Sequence, residues 1–188
     1  MVINFEITRI ANVSKEVCLW NTWDHEHLYF VHKQFGGSKI LFENKDVAII
    51  QTKMKIPFFP LYFNSIHTLI NIENNNVKVI DTMPFGIISE LFMEYIPIQK
   101  NQCKLVNHYK MTLPIILFPL KKIIPFFIKK WNKINWDEDL PLKTRRMQAL
   151  TFGFRDFHGI PRESKDFQKK ESTSIKLPLP RLKDSIIN

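Results

Sequence analysis

Apolar and polar residues alternate from Val2 to Ile10, placing Ile3, Phe5 and Ile7 on one face, the period-two pattern of a strand with one side in water. Six further segments, residues 39–43, 47–55, 62–73, 76–83, 88–97 and 103–113, are rich in β-branched and aromatic residues. Between many of them stands turn chemistry: Asn44-Lys45-Asp46, Asn74-Asn75-Asn76, Pro84-Phe85-Gly86 and Gln99-Lys100-Asn101. Turns this short join antiparallel neighbours, so the six strands are predicted to form a meander. Ahead of them, Ser14 suits a helix N-cap and residues 21–35 read as a helical region, broken by Gly36-Gly37. A closing helix is predicted over residues 136–154. Asp137, Glu138 and Asp139 stand at its start, where the helix dipole favours negative charge, Pro141 is tolerated in a first turn, and Gly153 ends it.

From about residue 160 the chain turns polar and charged and reads as a basic, disordered tail, 160–188, behind a single domain, 1–159. One strand, a short helical region, an antiparallel meander and a long final helix is the order of the helix-grip fold, an α+β class. In it a curved sheet wraps the last helix and encloses an apolar cavity, so the early helical region and the closing helix face each other.

Composition narrows the function. The chain has 188 residues, 45% hydrophobic and 13% aromatic, with a net charge of +9. The charge implies an acidic partner, either a membrane surface, an acidic protein or nucleic acid. Nucleic acid drops out because no recognition helix, zinc finger or aromatic RNA-binding signature is present. The two cysteines, Cys18 and Cys103, belong to no CxxC or CxH pair, which excludes a structural zinc or iron–sulfur cluster built on cysteine within this chain. The start of the chain carries Glu6 and Arg9 and alternates like a strand, unlike a signal peptide, so the expected compartment is the cytoplasm.

The longest uncharged apolar run of the second half, Met111 to Leu120, contains two prolines and is far shorter than the about 20 residues a spanning helix needs. The next segment, Leu120 to Trp131, mixes Lys121, Lys122, Lys129 and Lys130 with large apolar groups. That mixture suits a peripheral position in a membrane interface; a segment packed on the core with its lysines in water has the same composition.

The chemistry concentrates in Trp23-Asp24-His25-Glu26-His27-Leu28-Tyr29-Phe30-Val31-His32, which holds three of the six histidines and two carboxylates. Imidazole and carboxylate are the donors of mononuclear non-haem iron, which takes two histidines and one acid on one face and leaves other positions open. Asp24 and His27, three apart, share a helix face. His27 and His32, five apart, point about 140 degrees apart on an ideal helix, so both ligate one ion only if the helix ends or widens between them. His25 with His27, from an extended segment, is the alternative pair. His67 and His108 fall on predicted strands and are candidate cavity contacts, or simply strand residues with partners.

The pattern Asn21-x-x-Asp24-x-x-His27-x-x-x-x-His32, with Phe30-Val31 before the second histidine and Lys33 after it, resembles the iron-binding segment of the catalytic domain of Rieske-type non-haem iron ring-hydroxylating oxygenases. That domain is a helix-grip fold of the START-like (SRPBCC) superfamily. The resemblance implies that His27 and His32 are ligands of Fe(II), and that Asp24 carries electrons or orients a ligand between neighbouring subunits, which leaves room for an oligomer. The family's third ligand is an aspartate at the start of the closing helix. Glu138-Asp139-Leu140-Pro141-Leu142-Lys143-Thr144-Arg145 is similar to that element, making Asp139 the matching position and Asp137 the fallback. The chain departs from the family in having neither the paired Cys-x-His spacing of a Rieske cluster nor the room for its domain. Electrons would have to come from a separate electron-transfer protein or from the substrate. The resemblance therefore implies oxidation of a hydrophobic small molecule that is aromatic, isoprenoid or pigment-like; the fold alone implies a lipid or pigment carrier.

Overall fold

The computed structural model describes residues 1–25, 27–55, 61–73 and 76–152. Seven strands form one antiparallel sheet: β1 (Val2–Ala11), β2 (Phe35–Glu43), β3 (Val47–Lys55), β4 (Tyr62–Ile72), β5 (Asn76–Met83), β6 (Ile87–Gln99) and β7 (Gln102–Thr112). Their spatial order, β1-β7-β6-β5-β4-β3-β2, is a meander from β2 to β7 with β1 added beside the last strand. Helices α1 (Lys15–Trp23) and α2 (His27–Val31) link the two edge strands, and α3 (Ile124–Thr151) packs along the sheet. This is the helix-grip architecture.

Alternation sets which side chains face the helices. On β1 the odd positions Ile3, Ile7 and Ala11 are buried; on β3 the even positions Ala48, Ile50 and Thr52 are. Of these, Ala11, Ala48 and Ile50 join Val17 and Cys18 from α1 and Val77, Tyr95, Cys103 and Leu105 from the sheet in the main core, against which Trp136, Met147 and Leu150 of α3 pack. Full burial of such an aliphatic side chain is worth about 1.5–3 kcal/mol. A smaller cluster of Ile3, Met111 and Leu113 receives Ile124 and Ile128 from the first turns of α3. Cys18 and Cys103, far apart in sequence, are both buried as free thiols. They are close enough that Cys103, together with burial, pushes the Cys18 thiol up.

Four expectations change. The early helical region is two helices: Ser14 caps α1 as expected, but α1 stops at Trp23 with Asp24 as its C-cap, and α2 begins at His27. Gly36-Gly37 does not break the chain but lies within β2. Gly36 is required by packing, since a Cβ there would stand 2.6 Å from the Tyr62 ring. The closing helix starts at Ile124, twelve residues before the expected position, because Pro125 occupies its first turn, where proline is favoured. Pro141 is accordingly inside the helix and Asp139 is near its middle. Gly153, and the expected tail 160–188, lie outside the described residues.

Candidate metal centre

Three elements converge on one point. The end of α1 supplies Asn21 and Asp24, α2 and the residue after it supply His27 and His32, and the middle of α3 supplies Glu138, Asp139, Lys143 and Arg146. Because α2 ends at Val31, His32 lies outside the helix, and the objection that residues five apart diverge no longer applies. The two rings stand 5.2 Å apart between centroids, edge to face.

His27 Nε2 is 3.3 Å and His32 Nε2 3.2 Å from the same atom, Asp139 Oδ1. That oxygen is buried and makes no hydrogen bond. The three ligand atoms lie within 4.8 Å of one another. Donors each about 2.1 Å from one ion sit about 3.0–3.4 Å apart at octahedral or tetrahedral angles, so the measured acid-to-imidazole spacings fit a shared metal. A buried carboxylate oxygen without a donor is costly unless something meets it. The residues present therefore fit a divalent ion.

The remaining polar atoms aim these three. His27 Nδ1 donates to the main-chain carbonyl of Asp24, and His32 Nδ1 donates to Glu138 Oε2 at 3.1 Å. With both Nδ1 atoms occupied, each ring turns Nε2 towards Asp139, as anchored metal-binding imidazoles do. The other Asp139 oxygen, Oδ2, accepts from Asn21 Nδ2 at 2.8 Å and Lys143 Nζ at 3.2 Å, which fixes the carboxylate plane. Arg146, fully buried, donates to Asn21 Oδ1 at 2.6 Å and to Asp24 Oδ2, and stacks over Trp20 at 4.9 Å. Lys143 sits 4.1 Å above the Trp136 ring.

Electrostatics follows from this packing. Three carboxylates (Asp24, Glu138, Asp139) face two cations (Lys143, Arg146), leaving one negative charge to be met at the imidazoles. Burial disfavours a charged His32, but Asp139 and Glu138 outweigh it and raise its pKa above the ordinary 6.5. Burial likewise favours a neutral Asp139, yet His27, His32 and Lys143 hold it far below the usual carboxylate range, so it is ionised and fit to ligate.

The structure thus brings together His27, His32 and Asp139. The main chain of Asp24, not its carboxylate, takes the His27 proton, while the carboxylate is bound by Arg146, its Oδ2 being 3.8 Å from His27 Nδ1. The fallback Asp137 is exposed and pairs with Lys133. His25 lies apart from the trio, 4.0 Å from Glu43. His67 is on the sheet face that carries the core, with Nδ1 on Asp81 at 2.5 Å and Nε2 on Thr52 at 2.6 Å. His108 does not meet the expectation of a cavity contact: it is on the opposite face, half exposed between Glu6 and Glu94 at 3.4 and 3.9 Å. β7 buries its odd positions Cys103, Leu105 and Asn107, and an even-numbered His108 points outward.

Sequence reasoning missed Lys143 and Arg146, which look like solvated charges. A signal existed in their spacing, since Asp139, Lys143 and Arg146 stand at i, i+4 and i+7 and share one helix face. That face is the buried one, with Ala149 next along it.

No protein-family model matches the chain, and no curated protein matches it. Solved structures do match in fold. The Zhui aromatase/cyclase from Streptomyces superposes with a TM-score of 0.67 at 8% identity, covering 80% of this chain and 98% of that one. A START superfamily protein from Mycobacterium smegmatis gives 0.57 at 15% identity, over 78% and 98% of the two chains. Norcoclaurine synthase from Thalictrum flavum gives 0.53 at 13%, over 72% and 85%. The fold is START-like.

Proposed function

We propose that this chain takes up a hydrophobic small molecule and acts on it at a mononuclear iron(II) centre of the kind found in the catalytic domains of ring-hydroxylating oxygenases. The observation that carries the reading is Asp139 Oδ1, buried without a hydrogen bond opposite two aimed imidazoles. His27, His32 and Asp139 would hold the ion. An iron(II) ion bound there would supply open coordination positions for oxidative chemistry on an organic ligand. The chain's own residues do the rest. Glu138 and the Asp24 carbonyl fix the ring tautomers, Asn21 and Lys143 fix the carboxylate, and Arg146 neutralises Asp24 beside them. The ligand is aromatic, isoprenoid or pigment-like, and a separate protein delivers the electrons.

A second reading drops the metal and keeps the hydrophobic ligand: a lipid or pigment carrier. The START-like fold supports it. Elemental analysis of protein purified without added metal separates the two. The expected result is stoichiometric iron, lost in both His27→Ala and His32→Ala while the circular dichroism of each is kept. Equal metal content in wild type and both variants defeats the metal reading, and metal-free protein carrying lipid or pigment selects the carrier.

A further inference from the structure

The sheet's antiparallel order collects several chain segments at one end. Val2 and Ile88 both pair with Thr112, Met83 pairs with Ile87, and Lys55 pairs with Tyr62. The start of β1, the start of β4, the β5–β6 turn and the exit from β7 therefore share that end, and the 3-10 segment Ile115–Leu120 and the first turn of α3 follow directly. Each contributes large apolar groups to solvent. Phe85 is 86% exposed at the apex of the turn, held there by a left-handed backbone (φ 64). Ile115 and Ile116 are 77% and 80% exposed, and Leu61, Phe118 and Phe126 are exposed with them.

Soluble surfaces rarely gather that many large apolar side chains in one place. Those beside them in sequence are cationic. Lys121, Lys122 and Lys129 are exposed, and no Asp or Glu occurs between Glu94 and Asp137. Apolar tips with a basic flank match the layering of an anionic bilayer, hydrocarbon beneath negative headgroups. A second copy of this chain fits less well, because a two-fold contact would set the same lysines against each other.

We infer that this end is a docking surface for anionic lipid bilayers, with the tips of the β5–β6 turn and the 115–120 segment inserted at the interface and the lysines at the headgroups. The inference goes beyond the metal reading and stands without it, because none of these residues touches the metal centre.

The test is co-sedimentation of the full chain with vesicles of phosphatidylcholine alone and of phosphatidylcholine mixed with phosphatidylglycerol. Wild type is expected to sediment with the anionic vesicles and to be released by salt. The pair Ile115→Asp with Phe118→Asp, both exposed and so compatible with folding, should weaken binding at least about tenfold. Lys121→Glu with Lys122→Glu should weaken it by a similar factor. Metal content is measured alongside and should not change in either pair. The proposal is overturned if wild type stays in the supernatant with anionic vesicles. It is also overturned if the Asp pair binds like wild type, which assigns binding to charge elsewhere, or if wild type proves a dimer that the Asp pair dissociates.

Discussion

Two histidine–aspartate clusters in this molecule use the same residue types and arrive at opposite states. On the sheet, His67 spends both ring nitrogens: Asp81 takes one and Thr52 the other. Every donor and acceptor of that ring has a partner, and Thr52 is fully buried, so nothing is left to hold a ligand. Between α1, α2 and α3, His27 and His32 spend only their Nδ1 atoms, and both Nε2 atoms are turned on an oxygen that no hydrogen bond satisfies. Counting histidines and acids does not separate a structural relay from a candidate metal centre; counting what each leaves unspent does.

The contrast is broken most directly by removing each acid. Asp139→Asn should lower metal affinity by at least about 100-fold, beyond the range seen when only a supporting residue is lost. Because it also unpairs the buried Lys143, it should destabilise the fold by about 3–5 kcal/mol. Asp81→Asn should cost about 1–3 kcal/mol through the lost charge-assisted bond to His67 and leave metal affinity unchanged. Metal titration together with denaturant unfolding of the two variants reads both effects; equal metal affinity would erase the distinction drawn here.

A smaller effect comes from pH. In metal-free protein the raised pKa of His32 makes its contribution to stability complete below about pH 6.5 and lost as pH rises through the raised value. The lowered Asp139 contributes above about pH 3.8 and loses its share as pH falls. Chelated protein should therefore have its highest melting temperature between these limits and lose about 2–4 °C per kcal/mol as pH climbs towards 8. A divalent ion prefers the neutral imidazole, so its stabilising shift should grow over the same rise. Calorimetry with and without chelator checks both signs, and a metal-induced shift that shrinks with rising pH contradicts the site. The smallest effect belongs to His108→Ala, which should change stability by less than about 0.5 kcal/mol and leave metal content untouched, because its ion pairs are half exposed.

Most of the sheet could be read from residue order, because alternation and turn chemistry are local. Six of the seven expected strands agree with the observed ones to within a few residues, and β2 starts earlier than expected because Gly36, which looks like a terminator, makes room for Tyr62. Pro125 hides the start of α3, and its charged face is hidden because Arg146 is buried by partners 125 and 122 positions away, while Lys143 is buried beside Asp139 and Trp136 of its own helix. The candidate residues His27, His32 and Asp139, and their meeting across two distant segments, are legible through the spacing that resembles an oxygenase segment; the chain path that lets them meet is not. It needed the break at Asp24, which no hydrophobic period announces. The orientation of His108 was within reach from strand parity alone.

The polar clasp joins residues 118 and 122 positions apart, Asn21 with Asp139 and Asp24 with Arg146. A chain emerging from synthesis presents both imidazoles early and lacks the acid until the whole sheet has been made. Any ion would therefore find its full site only in a finished molecule, and once held there it would tie two distant segments together as a cross-link does, lowering the entropy of the unfolded chain most because the loop it closes is so long.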